Sequence, residues 1–188
     1  MDKVLEYFHQ TGALLHGHFL LRSGLHSREF FQCALLLQDA AIASEVCGLL
    51  ADQLRPYPAV TVVSPAVGGI IVGQEVARHL GKKHIFVEKD GDGGLVLRRG
   101  FQIKPGEQFV VAEDVVTRGG RVQETIQIIR DHGGIVLAAG SIVDRSGGHL
   151  PDFGCPFVSL VKMNVETFAP DNLPPDLVGS TAIKPGSK

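Results

Sequence analysis

The chain has 188 residues, 44% of them hydrophobic and 20% charged, with a formal net charge of −2 at neutral pH. That length and apolar content suffice for one packed domain spanning residues 1–188 and exclude a disordered chain. The near-balanced charge offers no electrostatic footprint for nucleic acid or an anionic membrane, so neither is expected as a partner.

Residues 2–11 read as a short amphipathic helix with Val4, Leu5 and Phe8 on one side and Gly12 placed to end it. The N-terminal residues carry no apolar signal core, and no charge-free run reaches membrane-spanning length. Residues 18–32 read as two short strands joined by a polar turn containing Gly24. Residues 39–54 predict a helix with Asp39 as N-cap and Ile42, Val46, Leu49, Leu50 and Leu54 on the buried face. Pro56 and Pro58 break that pattern, and residues 59–63 then read as the first strand of a parallel sheet. Ser64 to Gly69 turns into a helix running to His79, with glycines that let the backbone approach a ligand or simply make a tight turn.

Residues 84–87 form the next strand and lead into a charged, glycine-rich segment, residues 88–100. Such a segment is costly to order: it is either a solvated hairpin or a mobile loop. Next comes the stretch that organises the chain, Phe109-Val110-Val111-Ala112-Glu113-Asp114-Val115-Val116-Thr117-Arg118-Gly119-Gly120-Arg121. A buried apolar strand is expected to end at two adjacent carboxylates, whose mutual repulsion calls for a cationic or hydroxylated partner. A loop with paired glycines follows, then a helix with Val122, Ile126 and Ile129 on one face. Backbone N–H groups of such a loop and the positive end of the helix suit a phosphate, and Glu113 and Asp114 can accept hydrogen bonds from ribose hydroxyls. The helix stops near Gly133. A strand from Ile135 reaches Asp144-Arg145, and residues 157–161 make a last core strand. Arg145 beside Asp144 is open to reading as a surface ion pair. The tail from Asn172 onward holds too many breakers for regular structure. Cys33, Cys47 and Cys155 are widely spaced, odd in number and outside any metal-ligand pattern, which predicts reduced thiols in a cytoplasm. None of the eight histidines forms a metal or triad pattern, so all are expected to be structural.

The stretch 109–121 resembles the phosphoribosyl-diphosphate (PRPP) motif of the type I phosphoribosyltransferases, and its Glu-Asp-Val-Val-Thr-x-Gly-Gly core is most similar to that of the orotate phosphoribosyltransferases. The likeness extends from the Ser23-Gly24 turn to the Lys-Pro-Gly-Ser ending, which is similar to the shorter-loop form of that family. It implies an α/β fold: a mainly parallel twisted sheet, helices on both faces, and a small N-terminal hood from about residues 12–36 with a contribution from the C-terminal tail. It implies transfer of the phosphoribosyl group of PRPP to orotate in pyrimidine biosynthesis, with Mg²⁺ held through PRPP rather than by a direct protein site, in a cytoplasmic homodimer.

The resemblance places PRPP on Glu113, Asp114, Val115, Val116, Thr117, Arg118, Gly119, Gly120 and Arg121. It places orotate with Thr117, Arg145, Arg22, Phe30 and Phe31, and gives catalytic roles to Lys89, Glu113 and Asp114. Lys89 lies where the family has a flexible loop that closes across the dimer. The sequence departs from the family at Gly68 and Arg22, where many relatives have lysine, and at Arg118 and Arg121, where most have small residues. No histidine occurs in residues 88–100, which excludes histidine chemistry there. Two other readings are a phosphoribosyltransferase for a different base and a regulator that senses PRPP without catalysis. Arg145 and the hood argue against the first, and the absence of an added domain or basic face argues against the second.

Overall fold

The computed structural model describes residues 2–21 and 23–185. Helix α1 (Asp2–Gln10) ends as expected before Gly12, whose φ of 65° suits a residue without a Cβ. Strands β1 (Leu14–Leu20) and β2 (His26–Phe31) pair antiparallel. Helix α2 (Cys33–Leu37) is an addition to the sequence reading, being too short at five residues to show a helical period.

Helix α3 (Ala40–Leu54) begins at Asp39, whose Oδ1 accepts from the N–H groups of Ala41 and Ile42 at 3.0 and 3.1 Å. Its buried stripe is Ile42, Val46, Leu50 and Leu54, joined by Ala43, Cys47 and Ala51. Leu49 was expected in that stripe and is instead exposed at 39%, because it falls on the flank of a row spaced by four.

The main sheet is built from β3 (Thr61–Pro65), β4 (Lys83–Lys89), β5 (Leu95–Leu97), β6 (Gln108–Val116), β7 (Ile135–Asp144) and β8 (Phe157–Lys162). Its order is β5-β4-β3-β6-β7-β8, parallel throughout except for the β4–β5 hairpin. Strand β3 starts two residues later than expected: Val60 is exposed at 47%, whereas Ser64 and Pro65 pair with Phe86 and Val87. In β6, Phe109, Val110, Val111 and Ala112 are fully buried because both faces are covered. Val110 and Ala112 pack with α3 and α4 (Gly68–Leu80); Phe109 and Val111 pack with α5 (Gly120–Asp131) on the other side. The mainly parallel sheet with helices on both faces is thus the architecture observed.

One feature differs from the sequence reading. Strand β6 does not end at the acidic pair but continues to Val116, because the ten-residue β7 supplies partners as far as Asp144. The segment 88–100 takes the hairpin form, one of its two readings. Its register pairs Lys89 with Leu95, Leu95 is buried, and Arg99 Nη2 meets Glu88 Oε2 at 2.8 Å.

The tail also carries more structure than its breakers predict. Strand β9 (Thr167–Phe168) pairs with β2, and Ile183 is bonded to both His18 and Leu20 through backbone groups at 2.8 Å. Arg28 grips Asp176 with two nitrogens at 2.7 and 2.8 Å and Glu166 with a third at 2.8 Å, while its guanidinium lies over Phe168. His18 bridges Ser180 Oγ and His26, each at 2.6 Å. These two histidines hold tail to hood, in keeping with a structural role.

Candidate active site

Because parallel strands enter from one side, β3, β4, β6 and β7 all finish at one edge of the sheet, where ligands of open α/β sheets bind. At that edge stand Ser64, Lys89, the Glu113–Asp114 pair and Arg145. Glu113 is only 8% exposed; its Oε1 accepts from the Asp114 N–H at 3.0 Å. Burial, reinforced by the charge of Asp114, pushes the Glu113 carboxyl well above the usual carboxylate range. Asp114 is partly exposed, and its Oδ1 accepts from the Val115 N–H at 2.7 Å.

The loop after β3 leads α4 directly onto this pair. A Cβ at Gly68 would lie 2.2 Å from Asp114 Oδ2, and one at Gly69 would lie 3.0 Å from Glu113 Oε1. The Ala66–Val67 peptide bond is cis, and the Ala66 N–H donates to Val87 O at 2.7 Å. Beneath this loop, buried Ser64 Oγ bonds His84 Nε2 at 2.8 Å. Gly73 leaves room for that contact, since a Cβ there would meet the His84 ring at 2.4 Å. Burial lowers the His84 pKa to about 4, so the ring is neutral. Sequence reasoning missed this pair; the Gly69–Gly73 spacing on one helix face was the available sign of close approach.

After the acidic pair, Val116 is buried and Val115 packs against the core, so neither valine has a side chain free for a ligand. Thr117 and Arg118 are exposed. Gly119 has a φ of 76° and sits under Phe153 and Pro151, both 2.9 Å from where a Cβ would be. Helix α5 then opens at Gly120, and the first backbone N–H groups of its opening turn lack partners within the helix. Arg121 is turned sideways: Nη1 reaches Glu124 Oε2 at 2.8 Å and Nη2 donates to Gly93 O at 3.0 Å.

Arg145 leaves the end of β7 with its backbone N–H donating to Val116 O at 2.8 Å. The surface ion pair that its neighbour Asp144 made conceivable is not formed: Asp144 Oδ1 accepts from the Ser146 N–H instead, at 2.8 Å. The guanidinium lies over Phe31, 5.6 Å from the ring centroid, and its buried Nε has no hydrogen-bond partner among the described residues. Burial draws its pKa down. The two phenylalanines point to opposite faces of β2. Phe31 is core, edge-on to Phe8 at 5.2 Å, whereas Phe30 is half-buried beside Phe19 at 5.8 Å. Lys89 is exposed at the end of β4, and Arg22 lies outside the described residues.

An acidic pair between the N-termini of α4 and α5 fits a ligand with anionic groups at two ends and hydroxyls in the middle. The unpaired guanidinium of Arg145 fits a second, planar anion. Among the described residues, no three His, Cys, Asp or Glu side chains gather as a metal site.

Residues 36–171 match the phosphoribosyl transferase domain. The chain is 48% identical to the orotate phosphoribosyltransferase of Carboxydothermus hydrogenoformans, over 98% of this chain and 97% of that protein. It is 45% identical to the orotate phosphoribosyltransferase of Thermotoga maritima, over 98% of each. Among solved structures, the orotate phosphoribosyltransferase of Aeropyrum pernix superposes with a TM-score of 0.73 at 26% identity, covering 85% of this chain and 93% of that one.

Proposed function

The chain belongs to the phosphoribosyl transferase family, and on that premise we propose that it transfers the phosphoribosyl group of PRPP to orotate, giving orotidine 5′-monophosphate and diphosphate. The observation that carries the choice of base is Arg145, a half-buried cation whose buried Nε has no partner among the described residues, at the same sheet edge as the acidic pair. A planar guanidinium recognises a carboxylate in two-point fashion, and orotate is a pyrimidine that bears one.

In this reading the bond from ribose C1′ to diphosphate breaks, the diphosphate keeps the electron pair, and the ring nitrogen of orotate bonds to C1′. Positive charge develops on the sugar. Glu113 and Asp114 accept from the ribose hydroxyls, and the negative charge of Asp114 favours the cationic sugar. Thr117 and the backbone from Val115 to Arg121 take the 5′-phosphate at the start of α5. The backbone of loop 64–69 meets the diphosphate, with Lys89 supplying the cation that Gly68 does not. Arg145 and Phe30 orient the base, while Phe31 holds the Arg145 guanidinium from below. Placement of the nitrogen and exclusion of water carry most of the rate.

Magnesium fits this site. Asp114 is a hard oxygen donor with partial solvent exposure, as a cation that keeps several waters and arrives on substrate phosphates requires. When bound with PRPP, Mg²⁺ supplies neutralisation of the leaving charge.

The reading extends to a homodimer in the cytoplasm, acting in pyrimidine biosynthesis. Support for a second copy is a hollow of about 350 Å³ where Ile70, Ile71, Phe86 and Phe101 offer apolar surface beside Gln74, Glu75 and His84. Three free cysteines suit a reducing compartment. Consumption of orotate, followed by absorbance with and without PRPP and Mg²⁺, tests the proposal. Consumption of adenine or uracil in preference to orotate would overturn it.

A further inference from the structure

Arg121 occupies the second position of α5, inside the turn assigned above to the 5′-phosphate, yet its side chain faces away from that turn. One nitrogen donates to Gly93 O in the β4–β5 hairpin at 3.0 Å, and another meets Glu124 Oε2 at 2.8 Å. The other oxygen of Glu124 accepts the Leu95 N–H. Arg121 and Glu124 therefore tie the turn of the hairpin and the first residue of β5 to the helix whose N-terminus is the phosphate site. Gly94 sits in this joint, where a Cβ would come 3.3 Å from Asp90 Oδ2 and 3.5 Å from Glu124 Oε1. The same arginine is close enough to Glu113 to lower its pKa against the effect of burial. One guanidinium thus stands between three things: the acidic pair, the phosphate turn, and the hairpin that carries Lys89.

We infer that Arg121 is a positioning residue that couples occupancy of the phosphate turn to the hairpin. With the turn empty, it holds the hairpin down through Gly93. A phosphate dianion at the start of α5 competes for the same guanidinium, because it adds a charge–charge attraction that the neutral Gly93 carbonyl does not offer. Drawing Arg121 onto the phosphate leaves Gly93 O unbonded and frees the tip to move. Lys89, directly N-terminal to that tip, gains freedom with it. This rests on the phosphate assignment made above and adds to it the residue that senses the phosphate.

Hydrogen–deuterium exchange over residues 89–97 tests the coupling, with ribose 5-phosphate as probe so that no turnover is needed. In the free wild-type protein these amides exchange slowly, and saturating ribose 5-phosphate speeds them at least about tenfold. Arg121→Ser raises the rate by a similar factor without ligand and makes it insensitive to ligand, while Arg121→Lys, which keeps one of the two bonds, falls between. Binding of ribose 5-phosphate seen calorimetrically but without faster exchange overturns the coupling alone. No binding at all overturns the phosphate assignment and the coupling with it. Exchange in Arg121→Ser equal to wild type shows that the arginine holds nothing, whatever the ligand does.

Discussion

Gly68 lies so close to Asp114 that a single Cβ at position 68 would stand 2.2 Å from the Asp114 Oδ2. Placed between loop and carboxylate, the glycine lets α4 bring its N-terminus down onto the acidic pair. A lysine at this position would not fit beside Asp114 as it is now oriented. Gly68→Ala is therefore expected to displace the Asp114 carboxylate and lower turnover roughly tenfold to a hundredfold, the scale of a misplacement near 1 Å. Asp114 is partly exposed and can swing toward solvent, so the melting temperature should hardly move. Steady-state kinetics and a thermal melt on one preparation check both halves.

Glu113 sets function against stability. Its folded carboxyl titrates well above the ordinary value of 4.5, mainly through burial. The folded chain thus keeps a proton that the unfolded chain releases, and stability falls as pH rises from 4.5 towards the raised value. Glu113→Gln removes that cost. The variant should match wild type in stability near pH 4 and exceed it at pH 7, where each 1 kcal/mol gained is about 2–4 °C in Tm for a chain of this size. Its turnover should fall because the amide offers the ribose hydroxyls one acceptor oxygen where the carboxyl has two. Denaturant midpoints at the two pH values decide.

His84 gives the opposite slope. Its folded pKa of about 4 lies below the ordinary 6.5, because burial disfavours the charged ring. Between those values the unfolded chain binds the extra proton, so stability is intact above about 6.5 and is lost as pH falls towards 4. His84→Gln should flatten that part of the profile while keeping a donor for Ser64 Oγ. Urea titrations between pH 7 and pH 4.5, run beside wild type, measure the difference in slope.

Lys89 lies on a surface hairpin, and if the enzyme is a dimer with a shared site, one chain's Lys89 serves the other chain's Asp114. Lys89→Ala and Asp114→Asn are each expected to be nearly inactive. Mixed and allowed to exchange, they should recover roughly one quarter of wild-type sites, since about half the dimers are mixed and each holds one intact site. No recovery despite proven exchange would keep Lys89 within its own subunit.

Much of this was legible from residue order alone. The buried strand, acidic pair, glycine turn and helix of 109–131 stand in the structure in that order, and the Asp39 cap was visible because capping is a local event. What stayed hidden depends on partners remote in sequence. The length of β7 carries β6 past Asp114 to Val116, Glu124 and Arg121 bond a glycine-rich hairpin to α5, and Arg28 binds a tail full of breakers. Phe30 and Phe31 look equivalent in a sequence, yet a strand sends neighbours to opposite faces, and only Phe31 lies beneath Arg145.

If Arg145 reads the carboxylate of a pyrimidine, kcat/KM for orotate set against kcat/KM for uracil, which lacks the carboxylate, shows it. Wild type should prefer orotate strongly. In Arg145→Ala the orotate value should fall by roughly 2–3 kcal/mol, about 30- to 150-fold, for loss of a charged two-point contact in a dry site. The uracil value should stay nearly constant, so the preference collapses. An equal loss for both bases, or an unchanged ratio, would show that Arg145 does not hold the carboxylate.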